Sequence, residues 1–402
     1  MKWLNIFILC IVVLWLCGCS RQQEQTTSAL PSPAKLESQL PRLTKSKQGE
    51  VYMSWVESKK DSALLFYAKF MENEWSEPQQ ISQGNNWFVN WADYPALMVN
   101  DSLMAAHWLE KRDIGTYDYD INISLSKEGK TWGAPFIAHK DGISAEHGFV
   151  SLLPFNQDQL FATWLDGRNT KLSEHDHAQM EHSGAMTLRA GVFDSNGNTI
   201  NEWELDKMTC DCCQTAAAIT PNGPVVVYRD RSENEIRDIF ITRFKDNQWT
   251  TPIPVHNDLW QIAGCPVNGP AVITSSDQLA VVWYSGSRQV PKVQMALSQD
   301  WGQSFGSPIV LSEGNTLGRV GITSLKDGTF VVSRLETQGD KAVIKLSQIN
   351  KQGVIIQSKN VVQTSIQRAS GFPSITSKGN EVLLAWTDVN TNSQVKLKSI
   401  TF

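Results

Sequence analysis

One element recurs throughout this chain: an apolar, β-branched run that ends in an aromatic residue and then breaks into polar turn residues. It reads VYMSWVESK at 51–59, LMAAHWLEKR at 103–112, LFATWLDGR at 160–168 and PVVVYRDR at 224–231. It returns as LAVVWYSGSR at 279–288, TFVVSRLE at 329–336 and VLLAWTD at 382–388. The anchors are Trp55, Trp108, Trp164, Tyr228, Trp283, Arg334 and Trp386, spaced by 53, 56, 64, 55, 51 and 52 residues. A short strand and a Gly/Asn/Asp turn precede each run, as in a hairpin. Two further strands follow, and no stretch holds a helical period. Four short strands per period of about 50 residues, with an aromatic at fixed phase, predict an all-β fold: a β-propeller of four-stranded antiparallel blades. Seven copies predict seven blades, or six if one copy is not a blade. The last copy stops after its third strand, VKLKSITF. Residues around 32–40 are therefore expected to supply the missing strand and close the ring, removing an open edge.

The turn between third and fourth strands carries a motif. Ser298-Gln299-Asp300-Trp301-Gly302-Gln303-Ser304-Phe305 is its full form, and Ser126-Lys127-Glu128-Gly129-Lys130-Thr131-Trp132 a shortened one. Degenerate forms stand at Asp246–Trp249 and Glu72–Trp75. Side-chain oxygens can hold turn N–H groups while Gly takes positive φ. This motif resembles the Asp-box, or BNR repeat, of sialidases and related propellers. The blocks CDCCQTAAAI, YRDRSENEIRDIFITR and WQIAGCPVNGPAV resemble bacterial exported sialidase-like proteins. That resemblance implies a pocket in which three Arg bind a sugar carboxylate, a Tyr–Glu pair acts as nucleophile and an Asp as acid/base. The family's early Arg-Ile-Pro segment has no counterpart: the corresponding strand reads Asp93-Tyr94-Pro95-Ala96.

The N-terminus reads as a leader. Lys2 precedes an apolar run from Ile6 to Leu16, too short to span a membrane, and Leu16-Cys17-Gly18-Cys19 follows. That ending resembles a bacterial lipobox, which implies cleavage before Cys19, lipidation of its thiol and a membrane anchor. Ser20 after the Cys implies the outer membrane. Residues 1–18 are then the signal peptide, 19–38 a lipid-anchored tether and 39–402 one propeller domain.

In a propeller, the loops between second and third strands share one face with the loops between blades. Placed there are Asp166, Asp230, Tyr284 and Glu336 as candidate acids, base or nucleophile, and Arg168, Arg229, Arg319 and Arg368 as candidate anion forks. Asp93, His147, Arg231 and Arg288 share the face. Trp87, Trp91 and Trp260 lie in its loops and could stack on a sugar. Local Arg–Asp pairing is the competing reading, since YRDR is self-contained. The net charge of −5, with no basic block, argues against nucleic acid as a partner. The leading expectation is a monomeric lipoprotein that binds an acidic glycan, with its hydrolysis left open, and with no cofactor and no metal. The alternatives are a non-catalytic glycan- or protein-binding propeller and a Cys/His metal-handling envelope protein.

Four cysteines remain in the propeller: Cys210, Cys212, Cys213 and Cys265. An exported chain favours disulfides. Vicinal Cys212 and Cys213 are poor partners for each other, which favours a bridge from Cys265 to the first group. The other readings are a redox pair and a soft-metal site, the latter assisted by His175, His177, Met180, His182 and Met186.

Overall fold

A computed structural model describes residues 27–171, 184–390 and 392–402. The chain forms seven antiparallel sheets arranged as a ring of seven blades. The first blade runs Ser38–Lys45, Val51–Lys59, Ser62–Met71 and Gln79–Gly84 from axis to rim. The third runs His147–Phe155, Gln159–Asp166, Met186–Phe193 and Thr199–Thr209. The seventh takes Ser374–Lys378, Glu381–Asp388 and Gln394–Thr401 from the C-terminus.

The ring closes with a strand from the N-terminus, but not with residues 32–40. Thr27–Leu30 pairs antiparallel with the last strand, from Thr27 opposite Ile400 to Leu30 opposite Leu397. Ser38–Lys45 is already the innermost strand of the first blade. The chain must cross from the rim of one blade to the axis side of the next. Three strand spacings of about 4.8 Å set that distance, and residues 31–37 are long enough to span it. The closing strand therefore lies earlier, within the stretch read as tether.

Apolar clusters weld neighbouring blades together. Trp164, Leu160 and Ala162 of the third blade pack against Met98, Ala105 and Ile121 of the second. Met53 and Trp55 of the first meet Ala385 and Leu397 of the seventh, which makes the ring continuous. Trp55, Trp164 and Trp283 are at most 1% exposed. Full burial of such side chains stabilises by roughly 2–3 kcal/mol each.

A buried indole also needs an acceptor, and the repeat supplies one two residues later. Trp55 donates Nε1–H to Glu57 and Trp164 to Asp166, both at 2.9 Å. Arg334, standing where other blades carry an aromatic, donates Nε–H to Glu336 at 2.8 Å. The turn at 298–305 is held from inside: Asp300 accepts from the N–H groups of Gln303 and Ser304, and Ser298 from that of Gly302.

Candidate ligand-binding site at the axial mouth

The innermost strands of all seven blades enclose an axial cavity of about 380 Å³, with Arg42, Asp93, Gln214 and Ser374 among its walls. The loops between blades gather at one end. There Trp91, Tyr94, Cys212 and Val267 pack around Phe372 and Ala92. Trp91 lies parallel to Phe372 with ring centroids 5.7 Å apart.

Two of the four candidate arginines meet over that indole. The Arg319 guanidinium lies 4.8 Å from the Trp91 ring and that of Arg368 lies 6.0 Å from it. Arg319 is buried; its Nη1 donates to the Gln367 and Gly371 carbonyls and to Ser370 Oγ. Arg368 is exposed at the start of a single 3-10 turn, Arg368–Ser370. Among the described residues no carboxylate pairs with either. Burial, then the charge of Arg368, lowers the Arg319 pKa to about 10. Gly318 at φ 74° and Arg319 at φ 50° turn the chain here, and Asn268 Oδ1 accepts the Arg319 N–H at 2.7 Å. A left-handed arginine costs of order 1 kcal/mol and persists only where its surroundings impose it.

The other candidates are consumed by the scaffold. Arg229 is 1% exposed and donates to the carbonyls of Asn268, Arg237 and Tyr284. Its guanidinium rests on Trp260, so that indole is occupied and buried rather than open to a sugar. Trp87 is likewise stacked on Trp108. Tyr284 meets the Trp260 ring edge-on, and burial raises its pKa. Arg168 grips Asp166 with two bonds of 2.7 Å, and Asp166 also takes the Trp164 indole. Glu336 pairs with Arg334 and Lys345. Asp230 sits against Asp206, which accepts from the Tyr228 hydroxyl; burial and the Asp206 charge push Asp230 up to about 7. The local-pairing reading therefore holds for Arg168, and backbone capping disposes of Arg229.

Three residues not singled out as catalytic form a buried chain beside the cavity. Tyr119 OH contacts Glu146 at 2.8 Å and Asp93 at 3.3 Å, and the Phe149 N–H donates to Asp93 at 2.7 Å. Burial, reinforced by Glu146, pushes Asp93 up to about 8. Burial and the Asp211 charge push Glu146 up to about 7. Tyr119 is fully buried under Phe88, which excludes it as an accessible nucleophile. The loop containing Glu146 and His147 was placed on this face by the repeat; the Tyr119 contact has no sequence signal.

A histidine pair sits between the second and third blades. His139 and His147 stack with centroids 3.5 Å apart at 6°, ringed by Asp120, Asp141 and Asp166. One ion cannot lie in both of two parallel ring planes, and Asp166 is already held by Arg168, so this cluster is a poor metal cradle. Despite burial, Asp141 and Asp166 raise the His147 pKa, while burial lowers that of His139.

Cys212 and Cys265 form a disulfide with Cα atoms 5.9 Å apart, and Cys210 and Cys213 are free and buried. The expected bridge from Cys265 to the first group is thus present. His175, His177, Met180 and His182 lie outside the described residues. Met186 is buried in the apolar core with Leu165 and Leu188. The leader and Cys19 also lie outside the described residues.

No protein-family model matches the sequence, and no curated protein matches it. Solved structures do resemble the fold. A Dyadobacter fermentans DSM 18053 protein of unknown function matches at a TM-score of 0.53 and 11% identity, over 77% of this chain and 94% of that one. A Penicillium chrysogenum alpha-L-arabinanase complexed with arabinobiose gives 0.47 at 14% identity, over 94% and 97%. A Trypanosoma rangeli sialidase in complex with sialic acid gives 0.42 at 14% identity, over 93% and 58%. Likeness at such identities speaks to the propeller fold alone.

Proposed function

We propose that this propeller is a binding protein for an acidic glycan, which it holds by its anionic group at the axial mouth. The observation that carries this reading is the pair Arg319 and Arg368, both set against the Trp91 ring, with no carboxylate among the described residues paired to either. Two like charges brought together repel, and one fixed by a buried backbone cannot move away. A carboxylate or sulfate between them relieves the repulsion and meets planar forks suited to bidentate bonding. The saccharide part of the reading rests on the resemblance to Asp-box propellers. Hydrolysis is left out of it, because Asp166 and Glu336 are tied up in ion pairs and Tyr119 is covered. We further propose that Cys19 carries lipid and holds the propeller at the outer membrane.

Calorimetric titration of the chain from Ser20 onward with uronate- and sialate-bearing oligosaccharides tests the reading. Binding is expected for acidic members and not for neutral ones. Arg368→Ala is expected to weaken it by about 10- to 100-fold, the loss of one charge-assisted contact of roughly 1.5–3 kcal/mol. Equal binding by Arg368→Ala would remove the proposal, and turnover of any member would replace it with an enzymatic one.

A further inference from the structure

Cys210 and Cys213 play no part in the anion site, yet they are not ordinary core thiols. They are 0% and 2% exposed, and the Sγ atoms of Cys210, Cys212 and Cys213 all lie within 4.8 Å of one another. Cys212 is committed to Cys265, which leaves two facing thiols. Two guanidiniums adjoin them: Arg237 Nη1, itself paired with Glu235, lies 3.5 Å from Cys210 Sγ, and the Arg229 charge acts on both sulfurs. An apolar core does not place two buried guanidiniums beside a pair of thiols.

We propose that Cys210 and Cys213 form a two-thiolate site for a soft monovalent cation, copper(I) in kind. Three features select that ion. The donors are both thiolate sulfur, which favours soft metals over magnesium or calcium. Metal–sulfur bonds of about 2.3 Å let one ion bridge two sulfurs up to ~4.6 Å apart, and these sulfurs lie within 4.8 Å of one another. Charge sets the valence. Two thiolates and a monovalent ion leave one negative charge, which Arg229, bonded to carbonyls and to no carboxylate among the described residues, can balance, and the two thiol protons leave to solvent. Zinc would need two further ligands. The sulfurs of the Cys212–Cys265 bridge are not thiolates, and among the described residues the cluster here contains no imidazole or carboxylate.

The test is an anaerobic titration of the chain from Ser20 onward, disulfide intact, with copper(I) in competition with bathocuproine disulfonate. The expected result is one equivalent taken up with an ultraviolet thiolate-to-copper band, and X-ray absorption showing a first shell of two sulfurs. The band should vanish in Cys210→Ser and in Cys213→Ser, and survive in the Cys212→Ser/Cys265→Ser double variant. A nitrogen-rich shell, a band that persists without Cys210 and Cys213, or no uptake would overturn the proposal. So would peptide mapping that finds Cys210 and Cys213 joined in a second disulfide. The X-ray shell is read on the wild-type chain, so the result stands even where a serine variant fails to fold.

Discussion

Asp93 is a carboxyl that the fold keeps protonated near neutrality. Its pKa of about 8 stands far above the ordinary 3.8, because burial strips its water and Glu146 repels its charge. From roughly pH 4 to pH 8 the folded chain therefore holds a proton that the unfolded chain has lost. The sign follows from linkage: stability falls as pH rises through that window, and the loss is complete above the folded pKa. Glu146, raised to about 7, acts in the same direction over a narrower range. Asp93→Asn copies the neutral acid and keeps an acceptor for the Phe149 N–H. Melting curves from pH 5 to pH 9 should show the wild type losing more stability toward alkaline pH than Asp93→Asn. Parallel curves would show that Asp93 does not titrate there. Arg229 supplies a contrasting prediction. Arg229→Met leaves the Asn268, Arg237 and Tyr284 carbonyls without its donors and should cost about 3 kcal/mol or more in denaturant unfolding. The folded fraction should keep its anion affinity, whereas a selective loss of affinity would place Arg229 in the site. Asp166 and Glu336 show what can be read from sequence at this scale and what was misread. An acid stands two positions after six of the seven anchors, and in three of them, Glu57, Asp166 and Glu336, it accepts from the buried indole or guanidinium of its own anchor. A residue that recurs in phase serves the scaffold. Arg319 and Arg368 stand outside that phase, one at a bulge in the innermost strand of the sixth blade and the other in the 3-10 turn before the seventh.

At the level of elements, the spacing of the aromatic anchors made the blades legible, because each blade must bury one such residue against its neighbour. Strand alternation did the same for the hairpins. The closing strand was placed a few residues too late, because TSAL at 27–30 is short and polar and has no aromatic to mark its phase. Only the length needed to cross from rim to axis locates it. Its role predicts the effect of truncation. A chain beginning at Pro31 leaves Leu397–Ile400 as an unpaired edge and removes Leu30 from the seam between first and seventh blades, while every other core contact stays. Thermal unfolding should shift several degrees lower and light scattering should show association, as open edges invite pairing. An unchanged melting temperature and a monodisperse species would mean that the ring is held by the apolar contact between first and seventh blades alone.

For the whole molecule, a ring brings together loops that are far apart in sequence. The site was legible to that extent: the blade repeat assigned Arg319 and Arg368 to one face. It could not say which guanidiniums stay free, because that depends on carbonyls and indoles from adjacent blades. The proposed lipid anchor has its own test. Replacing Cys19 with Ala should move the protein from the membrane to the soluble envelope fraction, and continued sedimentation with membranes would rule out lipid as the tether. The central claim is recognition of negative charge at the axial mouth. It is met most directly by titrating one acidic oligosaccharide beside its carboxyl-reduced counterpart, which differs only in charge. The account predicts that the acid binds at least about tenfold tighter, and that this ratio falls close to one in Arg368→Gln. Equal affinity of the wild type for both sugars would contradict it.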